Sequence, residues 1–407
     1  MKKIIKYLFL LTGGSFILTS CNDFLDREPL DSVTPDNFFF TENDLAAYAV
    51  KHYNFTTHEG FNAGIWKNDN ATDNQAATNY DKKWIPGQWK VPEAYDNPAS
   101  NDPWYFSAIR EANYFLETVV PRFEKGEIEG SEVNIKHYIG EMYFLRAKNY
   151  LSKLETFGDF PIIKNTLPDE NEPLTQASKR EPRHKVARFI LEDLDQTIGL
   201  LTNNISGGKN RITKNAALLL KSRAALFEAS WLTYHRGTAL VPGGSGWPGK
   251  AEDIADFNID TEIAFFLKEA KEAAKEVIGN AALMQNTAKD CMDETVKTDE
   301  DKYKMSNPYF AQFSANSLEG YSEILLWRAY NLLDYKIVHS APFYIRVGGN
   351  TGFTRQYVES FLCRDGKPIY TTDQYKGDKS LLDVRKNRDL RLQLFLMTPG
   401  ETLSPNM

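Results

Sequence analysis

The chain has 407 residues, with 48 Lys and Arg against 55 Asp and Glu, for a formal charge of −7. An acidic chain with no basic block lacks the electrostatic footprint of a protein that binds nucleic acid or anionic lipid. A hydrophobic content of 42% excludes disorder and is enough for a large core or several helical repeats. Three cysteines make no disulfide framework at this size. With no CxxC, HExxH or Cys/His cluster and only six histidines, neither a metal nor another cofactor is expected.

The N-terminus reads as an export signal. Lys2, Lys3 and Lys6 are followed by a short apolar run, Tyr7 to Leu18, broken by Thr12, Gly13, Gly14 and Ser15. That run is too short to span hydrocarbon, which takes about 20 apolar residues. Leu18-Thr19-Ser20-Cys21 resembles the bacterial lipobox, so residues 1–20 are expected to be removed and Cys21 to carry the lipid. Loss of the three lysines takes the charge to −10. Several acyl chains on one cysteine hold a protein on a membrane stably, where a single chain does not. Residues 21–35 are polar and proline-bearing, a tether between lipid and body.

Thr34-Pro35-Asp36 signals a helix start, and an amphipathic stretch runs from Phe38 to Phe55. Residues 56–103 lose periodicity and are rich in Asn, Asp, Gly, Thr and Trp. Such a long irregular segment inside a domain is usually functional. Helical spacing resumes over Tyr105–Phe123 and again from about Asn134 to Phe157, where Gly158-Asp159 and Pro161 stop it. Gly140 and Ala147 mark places where two helices can approach closely. A second pair is expected over His184–Leu201, ended by Gly207-Gly208, and over Thr213–Tyr234 with Thr213 as N-cap. Another helix follows at about Thr261–Ile278. From Asp290 the chain turns loop-rich, with strand-like pieces such as Ile324–Ala329. Phe144–Tyr150 lies over Lys221–Phe227, a weak self-similarity that points to tetratricopeptide-like hairpins with long inserts.

Several local patterns, in order behind the lipobox, resemble the SusD/RagB family of outer-membrane nutrient-uptake lipoproteins. They are Cys21–Asp26, Thr34–Phe39, Trp104-Tyr105-Phe106 with Ile109–Asn113, Arg146–Tyr150, and Phe157–Ile163. Arg211–Leu218, Ser322–Leu325 and Arg388–Arg391 continue the likeness. The resemblance implies a mainly α fold, an α-α superhelix of tetratricopeptide-like hairpins with loop-rich inserts and minor β. On that reading residues 36–407 form one domain, with helical repeats over about 36–283 and the insert over about 284–407. The resemblance also implies surface capture of a glycan or peptide, with the protein as a lid over a SusC-like TonB-dependent transporter. The family normally continues with a final helix pair. Its absence leads us to expect a C-terminally truncated chain and an exposed apolar patch along the Thr213–Tyr234 or Thr261–Ile278 helices.

Aromatic residues make up 13% of the chain, a surplus that leans toward carbohydrate, since flat rings are the usual platform for sugars. Trp104 and Trp231 lie in periodic stretches and read as core. Trp66, Trp84 and Trp89 lie instead in the irregular tract, beside Asp69, Asn70, Asp73, Asn74 and Asn79. A sugar site needs an apolar face for the ring and planar polar groups for its hydroxyls, and this tract supplies both. The resemblance adds Tyr335, Phe343, Tyr344 and Phe353 from the second-half insert as an opposite wall. The competing reading is that these rings pin long loops to the helices. Gly244–Ala251 nearly matches a phosphate loop, but Ala251 replaces its Ser/Thr and Pro248 removes a donor, so a surface turn is expected. Asp69 and Asp73 are the one carboxylate pair suited to testing a hydrolase. Binding without catalysis is favoured, because uptake passes on intact ligand. A surface hydrolase and a protein-binding helical scaffold are the alternatives.

Overall fold

The computed structural model describes residues 38–53, 69–79, 85, 86, 104–284, 312, 315–329, 347, 349–396, 398 and 399. The export signal, Cys21 and the tether lie outside the described residues.

The first helix, α1 (Glu42–Lys51), starts at a capping box. Thr41 Oγ1 accepts from Asp44 N, and the Asp44 carboxylate accepts from the Thr41 amide. It buries Leu45, Tyr48 and Ala49. Three longer helices follow: α2 (Ser107–Glu124), α3 (Glu132–Phe157) and, beyond the short α4 (Asn171–Ala177), α5 (Arg183–Leu200). α6 (Lys214–Tyr234) is capped by Thr213, and α7 (Ile259–Asn280) by Asn258. α2, α3, α5, α6 and α7 pack in sequence as a row, each mainly on its neighbours, with α1 against α3. Cross-contacts run antiparallel. Arg146 meets Asp193 between α3 and α5, Arg183 meets Glu228 between α5 and α6, and Lys214 meets Glu276 between α6 and α7. Stacked helix hairpins bury one continuous core in this way. Among the described residues the only sheet is a two-stranded one, so the fold is mainly α.

α3 is the hub. Its 26 residues bury apolar side chains on several sides, among them Ile135, Met142, Leu145, Tyr150 and Leu154. A helix apolar around much of its circumference belongs inside a protein. Gly140, small enough to let a second helix approach, lies against the end of α5. A Cβ there would stand 3.0 Å from Leu201 Cδ2 and 3.1 Å from Leu200 Cβ, and Thr197 Oγ1 donates to the Gly140 carbonyl at 3.2 Å. Gly140→Val is therefore expected to cost ~1–3 kcal/mol by overpacking. Gly199→Ala, with no atom within 4 Å of its Cβ, should be neutral or stabilising. Urea denaturation of both variants checks the contrast.

Two expectations need correction, and one short helix went unread. Ile324–Ala329 is not a strand; its backbone joins no ladder, with Ile324 N on the Tyr321 carbonyl at 3.2 Å, Trp327 N on the Lys209 carbonyl at 3.0 Å and Ala329 N on Asn210 Oδ1 at 3.0 Å. α5 ends at Leu200, before Gly207-Gly208, which begin a separate 3₁₀ turn. α4 is absent from the periodicity, since seven residues show too little of it. The repeat overlay is also imperfect in chemistry: Arg146 is buried, whereas the overlaid Arg223 is exposed. On α6 it is Lys221 that bridges outward, to Asp195 and Glu269 at 2.6 Å each.

Leu219, Leu226, Tyr234, Leu267 and Ile278 stand exposed on α6 and α7, the helices where an uncovered apolar face is expected. Among the described residues, no helix is long and apolar enough to cross a membrane.

Candidate functional site

The irregular tract after α1 does not stand alone. Asp69 to Asn74 close a turn, in which Thr72 N and Oγ1 both donate to the Asp69 carbonyl, at 3.2 and 2.7 Å. Asn74 N then donates to Thr72 Oγ1 at 3.1 Å. The chain continues as β1 (Gln75–Ala77), paired antiparallel with β2 (Thr351–Phe353) from the second-half insert. Thr354 N donates to the Asn74 carbonyl at 3.0 Å and Thr78 N to the Asn350 carbonyl at 3.1 Å, extending the ladder at both ends. Gln75 Nε2 donates to Thr351 Oγ1 at 2.6 Å across 276 positions of sequence. Thr351 Oγ1 in turn meets Asn70 Oδ1.

Register decides what this ribbon displays. Gln75 lies opposite Phe353 and Ala77 opposite Thr351. Directly opposed residues put their side chains on one face, with Cβ atoms about 5 Å apart. The Phe353 ring, 43% exposed, therefore shares a face with the Gln75 amide. Behind it the short helix α8 (Arg355–Ser360) is capped by Thr354 and carries Tyr357, 5.1 Å from Phe353 and 5.2 Å from Phe361 between ring centroids. Asp69, Asp73 and Asn74 stand exposed beside this row of rings. The arrangement offers flat apolar surface and planar polar groups side by side, open to water.

Of the sequence-derived site residues, the structure brings Asp69, Asn74 and Phe353 together. Trp66, Trp84, Trp89, Tyr335, Phe343 and Tyr344 lie outside the described residues. Gln75 and Thr351 escaped the sequence reading because a three-residue strand has no detectable period, and Tyr357 because the six-residue α8 shows too little of one. Asp69 and Asp73 are both solvent-exposed, whereas a glycosidase's acid is held in a desolvated pocket.

Three further tryptophans are held by packing or a hydrogen bond. Trp104 and Trp231 are partly buried against the core. Trp247, at the tip of the Gly244–Ala251 loop, donates its indole N–H to Asp159 Oδ2 at 2.8 Å, while Asp159 Oδ1 takes the Arg183 amide at the start of α5. The segment is a pinned turn leading into a 3₁₀ turn over Ala251–Ile254, not a phosphate cradle opening a helix. Cys363 is buried across a bridge from Arg388, and Cys291 lies outside the described residues. Among the described residues no three metal-ligating side chains cluster.

Asn113, Arg146 and Tyr150 of the resemblance patterns turn out to be one buried network. Arg146 grips Asp193 through Nε and NH2 at 2.8 and 2.7 Å, and its NH1 reaches Asn113 Oδ1 at 2.9 Å and the Lys164 carbonyl at 3.3 Å. Asn113 Nδ2 donates to the carbonyls of Ile163 and Asn165 at 2.9 and 3.2 Å. Tyr150 Oη takes the Ile163 amide at 2.8 Å, and burial pushes its pKa up to about 12. These residues hold the loop after Phe160-Pro161 to α2 and α3.

Fold and surface together define a helical-repeat scaffold whose inserts meet in an aromatic and amide-bearing ribbon. The SusD-like family described as "Starch-binding associating with outer membrane" matches residues 23–226, half of the chain, and the chain belongs to that family. A SusD-like protein from Bacteroides fragilis NCTC 9343 is similar over 90% of this chain and 62% of its own, with 20% identity and a TM-score of 0.57. A SusD-like carbohydrate-binding protein from the same organism aligns over 88% and 60%, with 16% identity and a TM-score of 0.55. The chain thus spans about three fifths of the length of either structure. Curated proteins give no significant match.

Proposed function

We propose that this protein is a non-catalytic, surface-exposed lipoprotein, anchored in the outer membrane through acylated Cys21, that captures oligosaccharides and passes them to a SusC-like TonB-dependent transporter. The observation that carries the reading is the β1–β2 ribbon, which places exposed Phe353 beside the Gln75 amide and the Asp69–Asn74 turn. A pyranose has an apolar C–H face and a hydroxyl edge, and this surface offers a partner for each. Trp66, Trp84, Trp89 and Tyr344 extend the platform in this proposal. Family membership supports the carbohydrate and the outer-membrane setting.

Calorimetric titration of the full-length chain with a panel of starch-type, β-glucan and mannan oligosaccharides tests it. Phe353→Ala, and separately Trp84→Ala with Trp89→Ala, should each weaken the best ligand at least tenfold, about 1.4 kcal/mol. Because Phe353 is already exposed, its variant should keep the wild-type unfolding midpoint. Turnover of the ligand that disappears in Asp69→Asn would instead make the protein a hydrolase. Silence across this panel and across a panel of short peptides would leave a protein-binding scaffold.

A further inference from the structure

The loop held by Arg146, Asn113 and Tyr150 forms one wall of a second concavity. It lies between the start of α2 and residues 161–169, with α4 behind, and encloses about 550 Å3. Trp104, Phe106 and Leu174 give it an apolar lining, and Arg110, Asn165 and Asp169 supply polar groups of both charge signs. The size falls within the ~300–1,000 Å3 of small-molecule sites.

Two features distinguish it from an incidental void. First, its wall is fixed before any ligand arrives. The carbonyls of Ile163, Lys164 and Asn165 each accept from a donor on α2 or α3, and Thr166 N donates to Glu117 at 2.9 Å. A pre-ordered wall lowers the entropy lost on binding. Second, Trp104 is held in place without being sealed. Its ring meets the edges of Phe157 and Phe160 at 4.9 and 4.6 Å, with the Arg180 guanidinium 4.6 Å over it, and it remains part of the cavity lining.

The lining also sets the ligand's chemistry. A hydrocarbon ligand would bury Arg110 and Asp169 against apolar surface, and an anion or a cation would face one group of its own sign. A neutral, hydroxyl-bearing ring satisfies the aromatic lining and both charges at once. We propose that this cleft is a second saccharide site, taking a neutral di- or trisaccharide segment independently of the β1–β2 ribbon. Its ligand class rests on the glycan-capture reading, and its place rests on the cleft alone.

The test is ¹⁹F NMR of the full chain labelled with 5-fluorotryptophan, titrated with maltotriose, laminaritriose, cellotriose and mannotriose. Trp104→Phe assigns the Trp104 resonance. The expected result is a saturable Trp104 shift with at least one trisaccharide, retained in Phe353→Ala. It should be abolished by Arg110→Ala with Asp169→Ala, two exposed positions whose loss leaves the unfolding midpoint unchanged, and by cleft-filling Leu174→Phe. A Trp104 resonance that stays still while another tryptophan moves overturns the cleft and leaves glycan capture intact. Stillness at every tryptophan overturns both. A Trp104 shift that survives in the Arg110/Asp169 variant is indirect and also overturns the cleft.

Discussion

Arg146→Ala is expected to cost about 3–5 kcal/mol of folding stability, the usual result of removing one partner from a buried ion pair. Both members are almost fully covered, with 7% and 4% of the Arg146 and Asp193 side chains exposed. Burial already pushes the Asp193 carboxyl above its ordinary range, and the bidentate guanidinium is what offsets it. Truncation strands that carboxylate and also removes the donor facing Asn113 Oδ1 and the Lys164 carbonyl. Arg146→Met combined with Asp193→Leu removes both charges, so it should recover part of the loss. It should not recover all of it, because the Lys164 carbonyl and Asn113 still lack their donor. Guanidinium denaturation of the two single variants and the double variant gives the coupling directly. A loss below about 1 kcal/mol in Arg146→Ala would show that the pair is not what holds the 163–165 loop.

That network shows where sequence reading stops. The helices around it were legible: Tyr105–Phe123, Asn134–Phe157 and Thr213–Tyr234 lie within two residues of α2, α3 and α6, because a 3.6-residue period and a capping threonine are local signals. Gly158 ends α3 with φ +74°, as its position before Asp159 and Pro161 implies. Arg146 itself read only as part of a resemblance pattern, and its partner lies 47 residues away on another helix. Side-chain pairing across helices leaves no period. Strands failed for the same reason in the opposite direction. Ile324–Ala329 has strand-like composition but pairs with no strand among the described residues, while Gln75–Ala77 has an unremarkable composition and pairs with Thr351–Phe353. A strand is a property of a pair, and a pair 276 residues apart is invisible from either end. Composition drew attention to residues 56–103, in which Asp69 and Asn74 stand exposed. What composition lacked was the ribbon that joins this tract to Phe353.

A pH dependence follows from His184, at the start of α5. Its ring is buried, lies 4.6 Å from the Phe257 centroid, and leaves Nδ1 without a hydrogen-bond partner. Burial lowers its pKa from 6.5 to about 4, because the charged form would lose its water; Glu262 nearby offsets only part of this. In the unfolded chain His184 takes up a proton near pH 6.5, and in the folded chain only near pH 4. Between those values the unfolded state binds more protons, so stability falls as the pH is lowered through that window and is fully present above it. At about 1.4 kcal/mol per unit, the loss attributable to this one side chain approaches about 3 kcal/mol at the acid end. His184→Phe removes the titration and keeps an aromatic ring against Phe257. Carboxylate titrations and the other histidines are common to both proteins, so they cancel in the comparison. Denaturation at pH 7 and pH 4.5 should therefore show a stability difference about 2–3 kcal/mol smaller in the variant than in the wild type. Equal differences in the two proteins would mean that the His184 ring takes up its proton at the same pH in the folded and unfolded chain.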